Sequence, residues 1–118
     1  MDITAMAAIR ALDGLQMRQT VTANNIANAN SEGFMASGVN FESALRSAIA
    51  SGDVQSVQSS PILQFTPTAM NGLIGGRVRV DQEVASLSET SMNYQLLVTM
   101  LERKLSTSKL AFSDGRSS

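Results

Sequence analysis

Apolar residues recur at steps of three and four along both ends of this chain, and proline interrupts neither run. Near the N-terminus the positions are Ala5, Ala8, Ile9, Leu12, Leu15, Thr22 and Ile26. They line one face of a helix predicted over 3–30. Arg10, Asp13 and Arg18 fall largely outside that face, and Gly14 is a weak point costing about 1 kcal/mol relative to alanine. The helix is expected to stop between Asn30 and Gly33, where Gly33 suits the positive φ of a C-cap.

The C-terminal run is longer. Val80, Val84, Leu87, Ser91, Tyr94, Val98, Leu101, Leu105, Ser108 and Phe112 alternate steps of four and three. That is a heptad seam, the pattern of a helix supercoiled on a partner helix. It predicts a helix from 81 to about 112, roughly 45–50 Å long. Asp81 suits its N-cap. Glu83 and Glu89 lie early and Arg103, Lys104 and Lys109 late, which matches the helix dipole.

Between the two runs the pattern predicts a shorter helix. Asn40 is its expected N-cap, Glu42 lies in its first turn, and Phe41, Leu45 and Ile49 form its apolar edge. Gly52 and Asp53 end it. Residues 53–79 change character and hold both prolines and a glycine cluster. Val54, Val57, Ile62, Leu63 and Phe65 suit short strands, and Asn71-Gly72 is a tight-turn signal, so a β-hairpin is expected. The expected fold class is mainly α. Long terminal helices pair as a coiled coil, with a short third helix and an irregular or hairpin middle. The organisation is 1–34 (core helix with its terminal motif), 35–79 (short helix and linker) and 80–118 (second core helix), the two core helices forming one domain.

Composition narrows the function. The chain has 118 residues, enough for one small domain, and a net charge of -1. That balance gives no electrostatic footprint for nucleic acid or anionic lipid. No apolar run approaches the ~20 residues of a membrane span. The N-terminus lacks the basic and apolar regions of a cleavable signal peptide, so export would need another route.

Chemistry is poorly provided for. There is no histidine and no cysteine, and the carboxylates are scattered. No nucleophile–base pair, acid–base pair or metal cluster can be assembled from the sequence, so no catalytic, metal or cofactor residue is assigned and an enzyme is not expected. The glycines of GLIGGR lack the Lys-Ser/Thr that a phosphate loop needs, which leaves a turn.

The unusual stretch is ANNIANANSEGF, residues 23–34. Asparagine is a poor helix former, roughly 0.5 kcal/mol worse than alanine per site, yet Asn24, Asn25, Asn28 and Asn30 crowd one helix end. Asn24, Asn25 and Asn28 share an arc of about 100°, with Ile26 opposite. For a single Asn, a solvated helix end is an adequate reading. For the cluster it is weaker, because solvated faces use Lys, Glu or Gln. Amides donate and accept, and desolvate at lower cost than charges, which suits a polar protein–protein contact.

The stretch resembles the N-terminal signature of the axial proteins of the bacterial flagellum, the rod and hook family. Its usual form is Asn-Ile-Ala-Asn, a polar residue, Thr, any residue, Gly and an aromatic. Asn25-Ile26-Ala27-Asn28 and Gly33-Phe34 match, Ser31 stands where Thr is usual, and Met35 replaces a more commonly polar residue. The C-terminal heptads, with Asn93-Tyr94, resemble the family too. The resemblance covers both ends and not the middle. The chain leaves no room for the large inserted domains of hook and distal-rod members, so it is most similar to the proximal rod subunits.

The resemblance implies a structural subunit of the basal-body rod. Such subunits polymerise helically and transmit torque from the membrane ring to the hook. Implied partners are other copies of the chain, neighbouring proximal rod proteins, membrane-ring and rod-adaptor proteins and the flagellar type III export apparatus, with no nucleic acid or small-molecule substrate. The implied location is the basal-body rod, reached without a cleaved signal. Implied subunit-interface residues are Asn24, Asn25, Ile26, Asn28, Ser31, Gly33 and Phe34 in the motif and Val84, Leu87, Tyr94, Val98, Leu101 and Leu105 on the seam. The competing readings are a sister rod subunit and a cytosolic helical adaptor or chaperone using the same heptads.

Overall fold

The computed structural model describes residues 2–66 and 79–115. Asn71-Gly72 and the GLIGGR glycines lie outside the described residues. Two long helices dominate: α1 at Ile3–Ala27 and α4 at Val80–Gly115. Between them come β1 at Gly38–Asn40, α2 at Glu42–Ser51, α3 at Val54–Gln58 and β2 at Leu63–Phe65. The fold is mainly helical, with α1 and α4 packed along each other and a small antiparallel β pair.

α1 starts where an acceptor can cap it. The Asp2 carboxylate accepts from the Ala5 backbone N–H at 2.9 Å. It stops at Asn28, a few residues before the predicted end, and Gly33 takes its positive φ of 76° in the turn beyond the cap. Ala5, Leu15 and Thr22 of the predicted face are buried.

The middle of the chain holds most of the core. Leu15 and Val21 of α1 cluster with Val39, Phe41, Leu45 and Val57. Each such side chain contributes about 1.5–3 kcal/mol on burial. Gly14, read as a weakness, makes this possible: a Cβ there would lie 2.5 Å from the Phe41 ring. Helix propensity yields to ring packing at this position. Arg10 and Arg18 reinforce the same side of α1. Arg10 Nη2 and Nε donate to the Ser60 carbonyl at 2.6 and 2.9 Å. Arg18 donates to both Glu42 carboxylate oxygens at 2.6 and 2.8 Å and to the Val39 carbonyl at 2.6 Å. Its guanidinium also sits 4.9 Å from the Phe41 ring centroid.

Several local expectations are corrected. Asn40 is not an N-cap. It ends β1 opposite Leu63, and Phe41, whose side chain has no acceptor to offer, occupies the cap position with its ring in the core. Val54 and Val57 are helical, not strand. Asp53 caps them, accepting from the Gln55 N–H at 3.3 Å and the Ser56 hydroxyl at 2.8 Å. Leu63 and Phe65 do form a strand, but its partner is β1, which precedes α2 and α3 in the chain. Asp81 lies in the first turn of α4 and not before it.

Candidate functional site

The amide motif divides by side. Asn25 is 1 % exposed. Its amide nitrogen donates to the Ser37 carbonyl at 2.8 Å and to Glu83 Oε2 at 3.2 Å, while its oxygen accepts from the Ser37 N–H at 3.0 Å. One side chain thus ties the end of α1 to Ser37, the residue before β1, and to the start of α4. Asn24 is exposed and Asn28 half-buried. Asn28 Nδ2 donates to the Asn24 carbonyl at 2.9 Å and to its side-chain oxygen at 3.0 Å, closing the helix end. The three amides therefore do not share one outward face, because Asn25 points inward.

The rest of the motif builds a chain reversal. The Ser31 N–H donates to the Asn28 carbonyl at 2.9 Å and the Phe34 N–H to the Ser31 carbonyl at 3.2 Å. Ser31 and Gly33 are exposed, and Ile26 and Phe34 half-buried. Asn24, Ser31 and Gly33, with Ala23, Ala27, Asn30 and Glu32 beside them, form the exposed part of the stretch.

On α4 the inward line is Glu83, Leu87, Thr90, Tyr94, Leu97, Leu101 and Lys104, all at least partly buried. It keeps the heptad spacing but is turned by one position against the predicted seam. Leu87, Tyr94 and Leu101 belong to both lines. Val84 and Leu105 do not, being 47 % and 48 % exposed, while Val98 is half-buried. Polar ties accompany this contact. Gln19 Nε2 donates to the Ser91 hydroxyl at 3.1 Å, and Lys104 Nζ lies 3.0 Å from Asp2.

Two carboxylates are held below their ordinary range. Glu42 is lowered first by hydrogen bonds from Arg18, against some desolvation. Asp2 is lowered first by the Ala5 N–H and then by Lys104. Both shifts come from structural pairs. Among the described residues there is no cluster of His, Cys, Asp and Glu that could hold a metal, and no helix long and apolar enough to cross a membrane.

Sequence reasoning found the asparagine cluster and the heptads. It missed the Gly14–Phe41 contact, the roles of Arg10 and Arg18, and the partners of Asn25. For Gly14, the available signal was a glycine tolerated inside an otherwise regular helical run.

Comparison with known proteins adds the missing context. The family model described as Flagella basal body rod protein matches residues 6–34, most of α1 and the whole reversal. The flagellar basal body rod protein FlgB of Bacillus subtilis (strain 168) is 27 % identical, over 90 % of this chain and 90 % of its own length. The FlgB of Borreliella burgdorferi (strain ATCC 35210) is 30 % identical, over 77 % of this chain and 82 % of its own length. These matches run past the motif helix into the middle of the chain and α4. On that combination of motif and length, the chain belongs to the flagellar basal body rod protein family.

Proposed function

We propose that the chain is a proximal rod subunit of the FlgB kind. It would polymerise with other copies and with neighbouring proximal rod proteins, next to membrane-ring and rod-adaptor proteins. The observation that carries this is the length of the FlgB matches. A match limited to residues 6–34 would fit many axial proteins, but alignment over 90 % of both chains also fits the short middle segment. A sister subunit of the FlgC kind is the competing assignment.

In this reading α1 and α4 pair as a coiled-coil core, and the layer 38–66 braces α1 from the other side. Export runs through the flagellar type III apparatus without a cleaved signal. Asn24, Ser31 and Gly33 with the flanks of α4 form the subunit contacts, and Asn25 acts indirectly by fixing the reversal that presents them. Deletion of the gene tests the role. Cells should lack rods and fail to swim, and a FlgB gene from a related bacterium should restore both better than its FlgC gene. Normal rods in the deletion strain would refute the proposal.

A further inference from the structure

α4 carries apolar side chains that stay exposed among the described residues. On one flank of its packed face, Leu96 and Met100 are 59 % and 55 % exposed. They form one wall of a groove whose floor is Ala8 and Ala11 of α1 and whose other wall is Leu45 and Ile49 of α2. Two adjoining depressions of about 460 Å³ each make up this groove. On the other flank, the exposed Val84 and Leu105 and the half-buried Val98 repeat at multiples of seven residues, with Ser91 at the intervening position, and form a ridge. At about 100° per residue, ridge and groove wall lie roughly on opposite sides of the helix.

We infer that the occupant of the groove is the Val84–Leu105 ridge of a second copy of this chain. Both surfaces are apolar and unsatisfied in one molecule, and they face away from each other. The charges at their edges are complementary. Arg46 lines the groove with no ion-pair partner among the described residues, and Glu42, which also lines it, is engaged by Arg18, while Asp81 and Glu102 each lie one turn before a ridge residue, Val84 and Leu105. A ridge and a groove on opposite sides of one chain make a heterologous contact, which propagates from copy to copy and does not close as a dimer. A flank-to-flank contact of helices is also the geometry in which ridges fit grooves. This assignment rests on the rod-subunit reading and names the contact through which one copy would meet the next.

The absence of cysteine makes the test clean. The double variant Ile49→Cys/Leu105→Cys would be expressed in place of the natural chain, and isolated basal bodies treated with a short bis-maleimide. The expected result is a ladder of dimers and higher multiples of the chain. Each single variant, and the control Gln55→Cys/Leu105→Cys, should stay monomeric. Should the double variant not incorporate, Val84→Cys/Met100→Cys replaces it with the same expectation. Basal bodies that contain the chain but give no ladder above the control would overturn the inference and leave the rod reading standing. Dimers from a single variant, or a product with a different axial protein only, would also overturn it. If the chain is absent from basal bodies, the rod reading fails instead. Sedimentation of the purified chain then decides the contact alone. Open-ended association weakened at least tenfold by Leu105→Asp supports it, and a strict monomer or closed dimer refutes it.

Discussion

Asn25 occupies a place where an apolar residue would strip the Ser37 N–H of its acceptor and the Ser37 carbonyl of a donor. Leaving buried groups unpaired costs about 1–3 kcal/mol each, more than alanine regains in helix propensity. Asn25→Ala should therefore lower the melting temperature of the isolated chain clearly, while Asn24→Ala, at an exposed site, should leave it nearly unchanged. Equal melting of the two variants would refute the inward role of Asn25. Gly14 is a second case. Gly14→Ala gains about 1 kcal/mol in propensity but drives a methyl into the buried Phe41 ring, and overpacking costs about 1–3 kcal/mol. The variant should melt lower, and Phe41→Leu in the same chain should recover part of the loss. The amide cluster was visible in the sequence because its residue types are odd for a helix. Its division into one buried and three outer amides was not, since Asn25 meets partners 12 and 58 residues away.

Helix α2 is anchored at its first turn by the Arg18–Glu42 pair, and this gives the fold a pH dependence of definite sign. Glu42 titrates below its ordinary value near 4.5 in the folded chain, chiefly because Arg18 donates to it. Its contribution is therefore complete above about 4.5 and is lost as the pH falls through the lowered folded value. The pair is partly exposed, so the effect is at most about 1 kcal/mol. Glu42→Gln should lower stability at pH 7 and flatten its decline in acid, as read by denaturant titration at several pH values. An unchanged acid slope would exclude the pair as its source. At this scale the helices were legible because their periodicity runs for several turns. Short segments were not: Val57 reads as strand by its branching, yet the Asp53 cap and the fully buried Val57 side chain decide for helix. The heptad line on α4 was legible to within one position. Apolar content alone cannot separate the face that meets α1 from flanks that are apolar as well.

The molecule is long and thin, 65 × 26 × 14 Å, with a radius of gyration of 18.2 Å. A compact chain of this length would have about 13 Å. Its core lies between α1 and the 38–66 layer, and α4 adds mainly Tyr94 and Leu97 to it. The chain thus spreads apolar surface along α4 that the described residues leave exposed, which suits a subunit of an assembly. Two neighbouring leucines separate folding from assembly. Leu101→Asp places a charge on the partly buried face toward α1 and should reduce helicity and stability of the isolated chain by several kcal/mol. Leu105→Asp, on the exposed flank, should leave circular dichroism and melting nearly unchanged and still block rod completion. Similar losses of helicity in both would contradict the division of α4 into an inner face and outer flanks. The most direct measurement of the whole account is a cryo-EM map of isolated basal bodies at side-chain resolution. It should show this chain in the rod with α1 and α4 packed together within one subunit, the 38–66 layer on α1, and neighbours against the flanks of α4. A map without the chain in the rod, or with α4 separated from its own α1, would contradict it.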